Sequence, residues 1–167
     1  MPQPLSPSEV FHALVRGVCD RKWDDLPGLY AEQTNVVHPL DPFRAPPLLT
    51  REQLHEHFAG GDEVLGDARF EPANITIHET ADPEVIIAEF EYRGTVPGSG
   101  EPFALPGIFV MRVRDGQIVS SRDYVDHLGL ARALGRTDGL ITALDDAPPV
   151  VAHRPHGQPA RKTEKTA

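Results

Sequence analysis

Asp123 is the residue of this chain best placed to do chemistry. It lies in the segment Gln117–Val125, whose alternation is typical of a β-strand, and period two puts it on one face with Val119 and Ser121. A carboxylate among apolar neighbours either finds a partner or has a raised pKa, and a raised-pKa carboxylate can transfer protons near neutral pH. We therefore predict that Asp123 is a catalytic acid or base. A buried structural hydrogen bond is the alternative interpretation.

Two glutamates offer further acids on a neighbouring strand. In the β-rich segment Val85–Val96, Glu89 and Glu91 share a face with Ile87. This spacing predicts that Glu89 is a catalytic residue at a cavity and that Glu91 contacts the substrate. The alternative is a solvated face on which Arg93 pairs with the glutamates.

A third group of candidates surrounds a proline-rich loop predicted for Leu40–Leu49. His38 ends a short strand at the entrance to this loop, where an imidazole can bind a substrate oxygen or shuttle a proton. Tyr30, Trp23 and Phe43 are predicted to contact the substrate, Tyr30 through its hydroxyl. For His38 the alternative is a partly buried polar spacer, and for Tyr30 and Trp23 it is helix packing.

Metal and cofactor sites are not predicted. His55 and His57 are two residues apart and point to different sides of a helix, which disfavours a zinc site. Cys19 follows Val15 at helical spacing and is predicted to pack in the core. The sequence has no nucleophile-elbow, P-loop or dinucleotide-binding motif. We therefore expect chemistry that uses side chains alone.

Helix and strand signals indicate how these residues are positioned. Ser6 with Glu9, and Thr50 with Gln53, form capping boxes that begin two helices. Helices are expected after the caps Ser6 and Thr50, from Asp24 or Asp25 to about Gln33, and over Leu128–Leu134. Strands are expected over Thr34–His38, Arg69–Glu79, Val85–Val96, Phe103–Arg114 and Gln117–Val125. This order predicts an α+β fold with helices packed on one face of a curved antiparallel sheet.

Composition limits the domain organisation and the partners. The chain has 167 residues, a net charge of −9, 40% hydrophobic residues, 17 prolines and one cysteine. One domain is expected over residues 8–135, between a disordered arm at residues 1–7 and a mostly disordered, proline-rich tail at residues 136–167. The acidic balance disfavours nucleic-acid binding, the single cysteine excludes a disulfide framework, and no apolar run reaches the length of a membrane helix. We expect a soluble cytoplasmic protein.

Two stretches resemble the SnoaL-like domains of the nuclear transport factor 2-like superfamily. They are Asp115–Asp126, which contains Arg122-Asp123-Tyr124, and Leu29–Thr34, which leads to His38-Pro39. The resemblance covers residues 8–135, and the superfamily includes polyketide cyclases, ketosteroid isomerase and limonene epoxide hydrolase. It implies a cone-shaped α+β barrel whose helices and strongly curved sheet enclose an apolar pocket. It also implies a small apolar organic substrate, no cofactor and a homodimer.

The resemblance implies three alternative functions. In SnoaL-like cyclases, the aspartate matched by Asp123 is the acid–base group of an aldol ring closure. This predicts a cofactor-independent cyclase or isomerase for an apolar carbonyl compound such as a polyketide intermediate, with Glu89 as a second, neutral acid. The triad of the epoxide hydrolases is incomplete, because Glu89-Phe90-Glu91 stands where they have Arg-x-Asp, so a hydrolase would use Glu89 or Glu91. A non-catalytic ligand-binding or dimerisation module is the third alternative.

Overall fold

The first helix begins at the predicted capping box in the computed structural model, which describes residues 3–148. The Ser6 hydroxyl accepts the backbone N–H of Glu9, and the Glu9 carboxylate accepts the N–H of Ser6 at 2.8 Å. Pro7 takes the first helical position, where an N–H would have no partner within the helix. Helix α1 spans Pro7–Cys19.

A second capping box, between Thr50 and Gln53, begins the next α-helix. The helix predicted over residues 25–33 is reduced to a short 3-10 helix, because Tyr30 is extended and forms a β-bridge with Ile118. The remaining helices are α2 Arg51–Ala59, α3 Gly61–Leu65, α4 His127–Ala133 and α5 Thr137–Asp145, with the 3-10 helix at Leu26–Leu29. No helix within residues 3–148 is long and apolar enough to cross a membrane.

Six strands form one sheet. They are β1 Gln33–Val37, β2 Leu48–Thr50, β3 Arg69–Glu79, β4 Val85–Thr95, β5 Pro102–Arg114 and β6 Gln117–Val125. The strand order is β2-β1-β6-β5-β4-β3, and every pair is antiparallel except β1 with β6. The predicted α+β fold is confirmed, but the sheet is mixed because β1 returns parallel to β6. Strand β2 lies in the segment that was predicted to have no regular structure.

Helix α1 packs on one face of this sheet, which we call the inner face. Phe11 of α1 packs edge-to-face against Phe90 of β4 and Phe109 of β5, with ring centroids 5.4 and 6.1 Å apart. Gly107 leaves room for this cluster, since a Cβ there would lie 2.9 Å from the Phe90 ring. The aromatic cluster thus holds α1 against strands β4 and β5.

A β-bulge in β6 changes which residues share a face. Ser120 lies opposite Arg112 and Ile118 lies opposite Val113, so Val119 is the extra residue. The prediction that Val119 shares the face of Asp123 is therefore wrong: fully buried Ile118 points inward before the bulge. After the bulge, Ser121 and Asp123 are both buried on the inner face, as period two predicts.

The chain continues as structure beyond the predicted domain boundary. Helix α5 lies in the segment that was predicted to be a mostly disordered tail, so this prediction is wrong for residues 137–145. Arg136 connects the segment to the body of the domain, because its guanidinium donates to the carbonyls of Val64 at 2.8 Å and Glu63 at 3.2 Å. Residues 1–2 of the predicted arm and 149–167 of the predicted tail lie outside the described residues.

Candidate active site

A cavity of about 380 Å³ lies between the helices and the inner face of the sheet. Its volume falls in the range of small-molecule sites, and most of its wall is apolar. The apolar wall includes Leu14, Trp23, Phe58, Phe70, Leu105 and Phe109. The polar side chains that line it are Asp123, His38, His57, His127 and Asp41, with the rings of Tyr30 and Tyr92. No lysine or arginine of residues 3–148 lines this cavity.

Asp123 is the most deeply buried acid of the cavity, at 5% exposure. The Ser121 hydroxyl donates to its Oδ1. Burial raises the pKa of Asp123 from 3.8 to about 7, against the Ser121 hydrogen bond, which lowers it. Since its carboxylate has no arginine or lysine within 4.0 Å among the described residues, no cation offsets the cost of burying the charge. A carboxyl with this pKa can both accept and return a proton at neutral pH.

His38 lies beside this carboxyl at the end of β1. Its Nε2 is 4.0 Å from Oδ2 of Asp123, too far for a direct hydrogen bond. Burial lowers the pKa of His38 from 6.5 to about 4, with smaller contributions from His57 and His127 and an opposing one from Asp41. The imidazole is therefore neutral at pH 7, and one of its nitrogens can donate to an oxygen in the cavity.

Two tyrosine rings complete the polar part of the wall. Burial is the main reason why the pKa values of Tyr30 and Tyr92 lie well above their ordinary value, and the nearby charge of Asp123 adds to the shift. Both hydroxyls therefore keep their protons. Trp23 also lines the cavity, so the structure brings together Asp123, His38, Tyr30 and Trp23 of the predicted residues. Their roles toward a substrate remain predictions.

The other two acids lie on the opposite, outer face of the sheet. Along β4 the buried residues are Ile86, Ala88, Phe90 and Tyr92, so Glu89 and Glu91 point away from the cavity. Glu89 pairs with His78 at 2.7 Å, and Glu91 accepts from Arg93 at 2.7 Å and from Asn74 at 3.1 Å. The prediction that Glu89 and Glu91 face the cavity is wrong. The aromatic residues of this strand, rather than Ile87, mark the buried face.

Phe43 also lies outside the cavity. The carboxylate of Asp41 accepts the backbone N–H groups of Phe43 and Ala45, which turns the proline-rich loop and leaves the Phe43 ring 48% exposed. The prediction that Phe43 lines the site is therefore not supported by its position.

Four polar residues of the wall were not among the predicted site residues: Asp41, His57, Tyr92 and His127. His57 of α2 stacks on His38, with ring centroids 5.4 Å apart and planes 28° from parallel. His127 begins α4, and its buried Nε2 has no hydrogen-bond partner among the described residues. Tyr92 follows Phe90 at strand spacing, a signal that could have identified it once the aromatic face was recognised as the inner one.

The residue types of the cavity suit proton transfer better than metal binding. Within residues 3–148, no group of three or more His, Cys, Asp or Glu side chains is arranged to hold a metal ion. The cavity instead combines one carboxyl that titrates near neutral pH with neutral hydrogen-bond donors in an apolar enclosure. Such a set can remove a proton from an apolar molecule and stabilise the oxyanion that results.

Solved structures share this architecture. An isomerase candidate from Bacillus subtilis superposes with a TM-score of 0.66 at 23% identity, over 77% of this chain and 92% of that one. IdmH, a candidate polyketide cyclase from Streptomyces antibioticus, superposes with a TM-score of 0.59 at 22% identity, over 77% and 98%. At these identities the likeness shows the fold.

Sequence comparisons define the family. An uncharacterised PhzA/B-like protein of Pseudomonas aeruginosa is 35% identical over 97 residues, which cover 54% of this chain and 69% of that protein. The family model described as a SnoaL-like domain matches residues 11–121, which include most of α1, strands β1 to β5 and β6 as far as Ser121, so Asp123 lies two residues beyond the match. The chain therefore belongs to the SnoaL-like family.

Proposed function

We propose that this protein is a cofactor-independent enzyme, a cyclase or isomerase that carries out acid–base chemistry on an apolar carbonyl compound of the polyketide type. The observation that carries the proposal is a buried Asp123 without a cationic partner, in a cavity with an otherwise largely apolar wall. Membership of the SnoaL-like family and the fold shared with candidate polyketide cyclases support it.

The proposed reaction begins with ionised Asp123 as the base. The carboxylate takes a proton from the carbon next to the substrate carbonyl, and the electron pair of that C–H bond forms an enolate. Neutral His38 and the Tyr30 hydroxyl are assigned as donors to the enolate oxygen. In an isomerase, protonated Asp123 returns the proton to another carbon. In a cyclase, the enolate carbon bonds to a second carbonyl carbon of the same molecule, and the alkoxide formed there takes the proton from Asp123.

Proton abstraction can be tested without knowing the natural substrate. The probe is α-tetralone, a bicyclic ketone with exchangeable protons next to its carbonyl, incubated with the protein in D₂O and followed by NMR. We expect the wild-type protein to accelerate exchange at that carbon, and Asp123→Asn to reduce the acceleration by about 10²–10⁴-fold. Glu89→Gln is the matched control on the outer face and should exchange at the wild-type rate.

Two results would contradict the proposal. If Asp123→Asn exchanged the α-tetralone protons at the wild-type rate, Asp123 would not be the base. Binding of α-tetralone by the wild-type protein without any exchange would indicate a non-catalytic ligand-binding module. An epoxide hydrolase that uses Glu89 or Glu91 is not proposed, because both glutamates lie on the outer face of the sheet.

We also propose a homodimer formed through the outer face. An apolar groove there is lined by residues of β5, β6, α4 and α5, and Ile108, Leu128 and Leu144 expose apolar surface at it. The family resemblance favours a second copy as the occupant. Sedimentation equilibrium should give twice the chain mass for the wild-type protein and the single chain mass for Ile108→Asp. A monomeric wild-type protein would contradict the proposal.

A further inference from the structure

His57 occupies a position at the cavity rim that the proposed reaction does not use. It lies on α2 and is exposed, while His38 directly follows β1. The two rings stack with centroids 5.4 Å apart, and the His57 ring also lies edge-on to the ring of its neighbour Phe58, again with centroids 5.4 Å apart. The His57 ring therefore contacts both a buried aromatic ring and His38.

Besides His57, three titratable groups lie near the His38 ring, each on a different element. Asp123 approaches from β6 at 4.0 Å, His127 from α4 and Asp41 from the proline-rich loop. Asp123 and Asp41 would favour a protonated imidazole, whereas His127 opposes it. The ring of His57, which is itself exposed, covers His38 on the side of α2.

We propose that His57 is a positioning residue: its ring shields His38 from water and keeps that imidazole facing Asp123 as a neutral donor. Its catalytic meaning rests on the proposed function, but the contact itself does not. The lowered pKa of His38 agrees with this role, because burial is its largest cause. If His38 were protonated, its charge would stabilise the Asp123 carboxylate and weaken it as a base.

The test is an NMR titration of His38 in three variants on α2. In His57→Ala, which removes the ring, the pKa of His38 should rise from about 4 toward its ordinary value of 6.5, and the pKa of Asp123 should fall below about 7. In His57→Phe, which keeps the stack without a titrating nitrogen, the pKa of His38 should stay well below that of His57→Ala. His55→Ala changes an exposed histidine two residues away and should leave both titrations at their wild-type values.

The outcomes separate this proposal from the proposed function. An unchanged His38 titration in His57→Ala, with circular dichroism showing a folded protein, would overturn the positioning role. An equal rise in His57→Phe and His57→Ala would also overturn it, since the stack would then be irrelevant. Because the titration needs no turnover, a wild-type protein that fails to exchange α-tetralone protons would contradict the proposed function and leave this result intact.

Discussion

Each face of the sheet carries a carboxylate beside a histidine, and the two pairs are built differently. On the inner face, Asp123 and His38 are 4.0 Å apart, with side chains only 8% and 20% exposed. On the outer face, Glu89 and His78 form a contact of 2.7 Å, with side chains 54% and 51% exposed. Water solvates the outer pair, whereas burial makes the charged form of each inner group costly. The same two kinds of side chain therefore form a solvated surface contact in one place and a buried pair with shifted pKa values in the other.

A second comparison, between an acid paired with arginines and one without them, shows the effect of guanidinium groups on a carboxyl pKa. Glu84, at the start of β4, accepts hydrogen bonds from Arg114 and Arg112, and these bonds lower its pKa from 4.5 to about 2. Burial without such a partner raises the pKa of Asp123 to about 7. The placement of the arginines, as much as burial, therefore decides whether the pKa of a carboxyl in this protein is lowered or raised.

The largest expected difference between the two faces is in packing. Phe90 and Glu89 are neighbours on β4, but Phe90 is buried against Phe11 and Phe109. We expect Phe90→Ala to lower the free energy of unfolding by about 3–5 kcal/mol because it leaves a cavity in the core. Glu89→Ala should change it by less than about 1 kcal/mol. Urea denaturation measures both, and equal effects would show that the two faces have been assigned wrongly.

The second prediction concerns the pH dependence of stability. Between pH 4 and 7 the folded protein keeps a proton on Asp123 that the unfolded chain has lost, so this residue makes the free energy of unfolding fall as pH rises. His38 acts in the opposite direction, because its folded-state pKa of about 4 makes stability rise between pH 4 and 6.5. In the wild-type protein the two dependences partly cancel.

Asp123→Asn should break this cancellation. At pH 8 we expect the free energy of unfolding of the variant, measured by urea denaturation, to exceed that of the wild-type protein by up to about 4 kcal/mol. At pH 4 the two proteins should differ little in stability. Glu89→Gln is the outer-face control and should show no comparable gain at pH 8. A loss of stability in Asp123→Asn at pH 8 would mean that the carboxylate is stabilised by a partner.

A smaller effect is expected from the hydroxyl that contacts Asp123. The Ser121 hydrogen bond favours the ionised carboxylate and opposes the effect of burial. Ser121→Ala should therefore raise the pKa of Asp123 further above its wild-type value, as measured by carboxyl NMR. A fall in that pKa after the substitution would show that water or another donor enters in place of the hydroxyl.

The smallest effect is expected for the outer pair. A double-mutant cycle of Glu89→Gln and His78→Gln should give a coupling of about 0.2–1 kcal/mol, as is usual for exposed ion pairs. The coupling should decrease in high salt, because exposed charges are screened. A coupling of several kcal/mol would indicate that the outer face is covered and dry in solution.

Much of the fold could be predicted from local signals. The capping boxes place the starts of α1 and α2, and alternation places the ends of β3 and β6 at the observed residues. Strand β2 and helix α5 were missed because the proline content of their surroundings favours irregular structure. Strand β2 exists because it pairs with β1, and α5 is joined to the domain through Arg136, contacts that no local pattern contains.

The site divides in the same way. The buried position of Asp123 follows from alternation in β6 despite the bulge before it. The sequence could not show which side chains of β4 point into the core, because its first four residues, Val85–Ala88, are all apolar and either alternate set could be buried. The contact between His57 and His38 joins a helix to a strand 19 positions earlier in the chain, and only the tertiary structure brings the two rings together.

The most direct test of the account is the titration of Asp123 itself. Carbon-13 labelling of the aspartate carboxyls, with Asp123→Asn to assign the resonance, gives its pKa in the folded protein. We expect a midpoint of about 7, because burial without a cationic partner disfavours the carboxylate. A midpoint near the ordinary value of 3.8 would contradict it and would make Asp123 a solvated or paired residue rather than the acid–base group of the cavity.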